Sequence, residues 1–268
     1  MTYVIKSVEL PTQVTLPYIE QGDRSGVPVV LLHGLADSWR SFELVLPHIP
    51  ESLHTFALTH RGHGDASRPA TGYRFRDFAA DLAAFMDAVY LETAVIVGHS
   101  LGSAIALRFA IDYPERMLGL VLVSCRASLR NRPGALELWN STISRLADSM
   151  APDFVRGYAA LAQPVPSAYA EAMLQEGLKV PAFVWKAVYA GGLEEDLSTE
   201  LSKITAPTLV VWGAQDASVR HSDQETLLAA IAGSRIVEYS RAGHMLHWEE
   251  PERFAADLTA FVNSLGQA

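Results

Sequence analysis

Apolar residues in this chain fall into short unbroken runs and longer helical rhythms, and the two take turns. Residues 3–10 and 14–20 alternate apolar and polar side chains, which predicts two strands in an antiparallel hairpin at a sheet edge. Pro28-Val-Val-Leu-Leu32 is a continuous apolar run, the pattern of a central parallel strand covered on both faces. Thr55-Phe-Ala-Leu-Thr59 is the next. Phe78, Leu82, Phe85, Met86 and Val89 then recur at helical spacing. Ala94-Val-Ile-Val97 reads as a strand, 101–112 as a helix closed by Tyr113-Pro114, and Leu118-Gly-Leu-Val-Leu-Val123 as another strand. Repeated strand–helix alternation predicts a parallel sheet with crossover helices.

The rhythm changes between 126 and 200. Four helical patterns are centred on Leu136, Trp139 and Ile143, on Phe154, Tyr158 and Leu161, on Tyr169, Met173 and Leu174, and on Phe183, Val184 and Ala187. Prolines 133, 152, 164, 166 and 181 punctuate them, and no strand run intervenes. The segment reads as an all-helical insertion. Alternation resumes with the strand Pro207-Thr-Leu-Val-Val-Trp212, a helix near 223–232, the strand Arg235-Ile-Val-Glu-Tyr239 and a closing helix over 251–265. The expected organisation is a core of 1–125 with 201–268, and an insert of 126–200.

Gly98-His-Ser-Leu-Gly102 lies where a strand gives way to a helix. Random placement would produce a Gly-x-Ser-x-Gly in a chain with 18 glycines roughly one time in ten, so the five residues alone decide nothing. Their setting does. A sharp strand-to-helix turn lifts a serine hydroxyl clear of the sheet, and the crowded turn needs glycine on both sides. A serine nucleophile also needs a base, and the base needs a carboxylate to fix its tautomer. Both should follow in the order acid, then histidine. Asp216 comes just past the strand ending at Trp212, and His244 just past the strand ending at Tyr239. Open α/β sheets place their sites at that edge. Glu238 sits within a strand and Asp223 reads as a helix cap, so neither competes with Asp216. His247 rivals His244, but Gly243-His244 directly follows the strand, and His247 is expected to pack under the loop with Trp248. The Leu101 N–H and the Leu35 N–H, after the strand at 29–32, are the expected oxyanion donors.

Several other residues invite a chemical reading. His60, His63 and Asp65 crowd six positions. The expectation there is a glycine turn with His63 and Asp65 tying down loop backbone, not a metal site. His33 is expected to orient backbone near the oxyanion loop, His99 to point away from Ser100, and Cys125 to be a buried small hydrophobe. Trp139, Phe154, Tyr158, Trp185 and Trp212 are expected to line an apolar substrate pocket.

These motifs, in order Leu31-Leu-His-Gly34, Arg61-Gly-His-Gly64, Gly98-His-Ser-Leu-Gly102, Gly213-Ala-Gln-Asp216 and Ala242-Gly-His244 with Pro251, resemble the α/β-hydrolase family. The resemblance is to its helical-cap branch of serine esterases, C–C bond hydrolases and cofactor-free perhydrolases. It implies an eight-stranded sheet whose second strand is antiparallel, and a cap inserted after strand six. Serine stands where dehalogenases and epoxide hydrolases of the family carry aspartate. Leu35-Ala-Asp-Ser38 replaces the glycine- and proline-rich continuation of ring-cleavage C–C hydrolases. The expected activity is cleavage of a small to medium apolar ester or lactone through an acyl-enzyme. The rival expectations are a slow-turnover ligand receptor and C–C hydrolase or lyase chemistry on the same triad.

Composition narrows the partners. Hydrophobic residues make up 49% of the chain, enough for a sizeable core. A net charge of -9 disfavours nucleic acid or an anionic membrane surface. The start of the chain has no basic region followed by a long apolar run, and no stretch approaches a membrane span. One cysteine cannot form an internal disulfide, and a cytoplasmic setting is expected. No cofactor or metal is expected.

Overall fold

The computed structural model describes residues 3–130, 132–147 and 150–266. Residues 1–2, 131, 148–149 and 267–268 fall within the expected core and insert boundaries but outside the described residues.

Eight strands form one sheet. They are β1 (Lys6–Glu9), β2 (Thr15–Gln21), β3 (Val27–Leu32), β4 (Leu53–Leu58), β5 (Ala94–His99), β6 (Met117–Val123), β7 (Thr208–Gly213) and β8 (Arg235–Tyr239). Their spatial order is β1-β2-β4-β3-β5-β6-β7-β8. β2 runs antiparallel to both neighbours, and every other pairing is parallel. The chain thus steps outward from β3 to β4, then crosses back over β3 to reach β5. β3 and β5 become neighbours whose connections leave in opposite directions, and a crevice opens at their carboxyl ends.

The continuous apolar runs have a simple cause. Val30, Leu32, Phe56, Ile96, Leu122 and Val210 face one apolar cluster. Val29, Leu31, Ala57, Val97, Val121 and Val211 face another. Helices α1 (Phe75–Ala88), α2 (Leu101–Asp112) and, beyond the insert, α7 (His221–Ala230) cover the first face. The closing helix α9 (Pro251–Leu265) and the turn at Trp39–Phe42 cover the second, with the short helix α8 (Leu246–Glu249) beside them. Strands buried on both faces carry no polar alternation.

The insert contains α3 (Pro133–Ser141), α4 (Pro152–Tyr158), α5 (Ser167–Leu178) and α6 (Ala182–Glu194). Ile143 and Leu161 fall just outside the helices expected to contain them; Ile143 sits in a separate turn of 3₁₀ helix. An isolated bridge between Ser128 and Asp196, with the Leu197 N–H donating to the Ala127 carbonyl, pins the two ends of the insert together. Its buried residues, Val155, Leu174, Val184 and Trp185 among them, join the same cluster as α1 and α2. The insert therefore shares the core's apolar packing. Among the described residues no helix is long and apolar enough to cross a membrane.

Helix α2 lies against the sheet at backbone distance. A Cβ on Gly98 would fall 2.2 Å from the Gly102 carbonyl oxygen, and one on Gly102 would fall 2.1 Å from the Leu32 carbonyl oxygen. The Ser103 hydroxyl lies at the Gly98 carbonyl, takes the Val123 N–H, and fastens the helix to β5 and β6. Gly98→Ala must therefore push the helix off the strand and should cost on the order of 3 kcal/mol or more in urea unfolding. Gly134→Ala in α3, where an added Cβ meets nothing within 4 Å, should instead be neutral or gain up to about 1 kcal/mol.

Candidate active site

Ser100 occupies the turn between β5 and α2 with φ 52° and ψ −110°, a conformation that costs a non-glycine residue and aims its side chain out of the sheet. His244 arrives from the loop after β8 and Asp216 from the loop after β7. The two loops meet because Gly213 has no side chain: a Cβ there would lie 2.3 Å from the Gly243 carbonyl oxygen. Ser100 Oγ is 3.0 Å from His244 Nε2, and His244 Nδ1 is 2.8 Å from Asp216 Oδ2. The other Asp216 oxygen accepts the N–H groups of Ser218 (2.7 Å) and Val219 (2.9 Å).

Burial works against the Asp216 charge. The hydrogen bond and charge of His244, with the two backbone N–H groups, outweigh it and hold its pKa below the ordinary carboxylate value. Asp216 is thus an anion that accepts from Nδ1–H, leaving Nε2 as the lone-pair nitrogen facing the serine. His244 is fixed by its backbone too: its carbonyl accepts from Ser124 Oγ (2.9 Å) and His99 Nε2 (3.0 Å).

The loop after β3, at Gly34 and Leu35, is held by histidines. His33 Nδ1 donates to the Gly34 carbonyl (2.7 Å) and its Nε2 accepts the His60 N–H (3.0 Å). A Cβ on Gly34 would meet His99 Nδ1 at 2.9 Å, so glycine lets this loop close over β5. Among the described residues no protein group takes up the Leu35 N–H or the Leu101 N–H.

Two cavities meet at this point. One, about 260 Å³, is lined by apolar groups such as Val155, Met173, Leu174 and Trp248. The other, about 710 Å³, runs under α3 and α4. Leu35, Ser100, Tyr158 and His244 border both. Of the expected pocket residues, Phe154 and Tyr158 line the larger cavity. Trp139, Trp185 and Trp212 need correction, since none reaches a cavity wall. Trp185 is fully buried behind Phe154 and Tyr158, Trp139 stacks on Tyr189, and Trp212 is held inward by its Nε1–H bond to the Val219 carbonyl.

The remaining sequence readings divide. His247 is buried with Nε2 at Ser41 Oγ (3.0 Å), away from Ser100, and Cys125 is buried. His63 bonds the Arg61 carbonyl, but Asp65 does not tie down the loop; it is exposed and pairs with Lys179 (3.0 Å). Among the described residues no three potential ligands are grouped to hold a metal. Sequence reasoning assigns no role to Glu249 or Arg126, and to Asp37 only that of a fallback acid; all three lie at the site. Glu249 accepts the Gly243 N–H (2.7 Å) and the Ala162 N–H (2.8 Å), joining the His244 loop to the insert. Asp37 lines the small cavity, and Arg126 the large one.

The alpha/beta hydrolase fold model matches residues 27–251, which contain this whole site. The chain belongs to that family. It is 29% identical over 265 residues to a non-heme chloroperoxidase of Streptomyces lividans, covering 92% of this chain and 95% of that one. It is 28% identical over 248 residues to a 2-hydroxymuconate semialdehyde hydrolase of Pseudomonas sp. strain CF600, covering 89% and 87%. An esterase from Exiguobacterium antarcticum superposes with a TM-score of 0.87 over 97% of this chain and all of that one, at 23% identity. Relatives with such different names share a hydrolase fold, so the substrate must be argued from this chain's own cavities.

This hydrolase-fold chain keeps an unusual set of buried ionisable groups. Burial pushes His60 and His99 down to about 3 and His63 to about 4, and carries His33 and His247 well below their ordinary value. Burial, with Glu176 adding repulsion, pushes Asp37 up to about 8 despite its Ser41 hydrogen bond. The two kinds of group act on stability in different windows. Below the ordinary histidine value of about 6.5 the unfolded chain takes up protons that the folded one refuses, so stability falls with acid. Above it those histidines are neutral in both states. There the folded chain still holds the Asp37 proton that the unfolded chain has lost, so stability falls again as pH rises toward 8. Melting temperatures should peak near neutrality; Asp37→Asn should flatten the alkaline slope and, because the Asp37 proton opposes the histidines between about pH 4 and 6.5, steepen the acid one.

Proposed function

We propose that the protein is a serine hydrolase that cleaves small to medium carboxylic esters or lactones through an acyl-enzyme, with α3–α6 as a cap over the site. The observation that carries this reading is the unbroken hydrogen-bond chain from Ser100 through His244 to the ionised Asp216. Ser100 Oγ attacks the carbonyl carbon as its proton passes to His244 Nε2. Asp216 holds the Nδ1–H tautomer and stabilises the imidazolium that forms. The Leu35 and Leu101 N–H groups receive the oxyanion, at the positive end of α2. His244 then protonates the leaving oxygen. Water, deprotonated by the same nitrogen, releases the acid. The small apolar cavity suits an alkyl or aryl portion of the substrate, and Phe154 and Tyr158 close the larger one from the cap. The one cysteine, buried and unpaired, fits a reducing compartment such as the cytoplasm.

Ser100→Ala should lower kcat toward p-nitrophenyl esters on the order of 10³-fold or more, because the triad acts as a unit. A fluorophosphonate should add covalently to Ser100 alone, read by peptide mass. Activity within about tenfold of the parent would refute the acyl-enzyme. Asp216→Asn, which keeps the shape and loses the charge, should lose on the order of 10³ to 10⁴ in kcat.

A further inference from the structure

The larger cavity has a charge that the rest of the molecule does not. The chain is net negative by 9, yet Arg126, Arg132 and Arg220 all line this one cavity. A single carboxylate, Asp153, shares the lining; it is exposed and turns to Arg156 at 3.4 Å. Arg132 is already matched, with Nη1 3.0 Å from Asp223 Oδ2. Arg126 is not. It is half-buried two residues beyond Ser124, and among the described residues it makes no hydrogen bond or ion pair.

Arg126 shares the cavity lining with two tyrosines, of which Tyr189 also donates its hydroxyl to the Ala135 carbonyl (3.3 Å). The Arg126 charge acts on the hydroxyls of Tyr158 and Tyr189, both of which border the cavity, and on Arg132. Tyr158 also borders the small cavity, beside Ser100. Guanidiniums gathered without enough carboxylates repel one another, and Arg132 shows it: burial first, then Arg126 and Arg220, lower its pKa. A planar guanidinium with free N–H donors beside tyrosine hydroxyls matches a carboxylate, and an incoming anion would relieve the repulsion.

Resting on the serine-hydrolase reading, we infer that the substrate carries a carboxylate in addition to its scissile carbonyl. Arg126 binds that carboxylate in the larger cavity, with Arg132 and Arg220 as flanking cations. The apolar remainder of the substrate occupies the smaller cavity. The class is the monoester of a dicarboxylic acid, or an ester whose alcohol carries an acid group.

The test compares each anionic ester with its neutral carboxamide twin. One arm puts the charge on the acyl chain, as mono-p-nitrophenyl glutarate. The other puts it on the leaving group, as 4-carboxyphenyl butyrate. In at least one arm the anion should be preferred on the order of ten- to a hundredfold in kcat/KM, mainly through KM. Salt at about 0.5 M should shrink the preference. Arg126→Gln should bring the ratio to about one, and Arg126→Lys should keep part of it, since the point charge survives without the fork. Matching melting curves would show that both variants fold, and the salt dependence needs no variant at all. No preference in either arm, or a preference that survives in Arg126→Gln, overturns the assignment. If no ester is cleaved and Ser100 resists the fluorophosphonate, the hydrolase reading fails by itself. Calorimetric titration with glutarate then reads the anion site separately: binding that Arg126→Gln abolishes upholds it, and absent or unchanged binding overturns it.

Discussion

The contact between α2 and the sheet, made backbone to backbone at Gly98 and Gly102, is the constraint around which the site is arranged. It brings the first turn of α2 within reach of Leu32, at the end of β3, and so sets the loop at Gly34 and Leu35 beside Ser100. It also forces the turn that holds Ser100 at positive φ. Strain of this kind, on the order of 1–3 kcal/mol, persists only where surrounding packing over-determines it. Here the packing is two glycines, the Ser103 hydroxyl bridging β5 and β6, and an apolar cluster behind Ile105 and Phe109. A second close approach, Gly213 against the backbone of Ala242 and Gly243, does the same for the acid and the histidine. The hydrogen-bonded chain of Ser100, His244 and Asp216 is therefore positioned by missing side chains as much as by present ones.

Behind these contacts lies a buried polar layer. The rings of His33, His60 and His63 lie tilted or edge-on with centroids within 6.3 Å of one another near the Gly34 loop, and those of His99 and His247 lie tilted at 4.4 Å near the His244 loop. As neutral rings they supply one donor and one acceptor each without charge, which suits a place where backbone groups need fixing and ions would be costly. His33 holds Gly34 and His60; His99 holds His244; His247 meets Ser41, which in turn meets Asp37 and Trp248. Positioning by neutral imidazoles ties the geometry of the site to a pH range, because acid favours the unfolded chain, whose histidines take up protons more readily.

The positions of the strands along the chain, and of Ser100, Asp216 and His244 just past strand ends, were legible in the sequence because each depends on local chemistry. A glycine-flanked serine after an apolar run, and an acid and a histidine each a few residues past a strand, are signals carried within ten residues. The antiparallel second strand came from the family resemblance, and the spatial order β1-β2-β4-β3-β5-β6-β7-β8 only from the structure, since an apolar run does not say which neighbour it pairs with. The pocket was only half legible. Trp139, Trp185 and Trp212 have the composition of pocket walls, but whether a helix turns such a side chain toward a cavity or toward its neighbours is decided by packing between helices. Trp185 fills the space behind Phe154 and Tyr158 that lets those two face the substrate space. Asp65 misled for a related reason: a lysine 114 positions away in α5's cap captures it. Glu249 was hidden because its partners, Gly243 and Ala162, are backbone groups that leave no mark in sequence.

The insert and the loop after β8 are joined at that glutamate. One carboxylate takes N–H groups from Gly243, adjacent to His244, and from Ala162, just beyond α4. Tyr158, at the end of the same helix, stands between the two cavities. Glu249 thus links the segment just beyond α4 to the loop that presents His244. The cap's shared apolar cluster with the core opposes a large displacement, because opening it would expose Val155, Leu174 and Val184 to water at about 25 cal/mol per Å². The insert and the loop that presents His244 are in this way tied through one carboxylate, while the insert shares its apolar packing with the core.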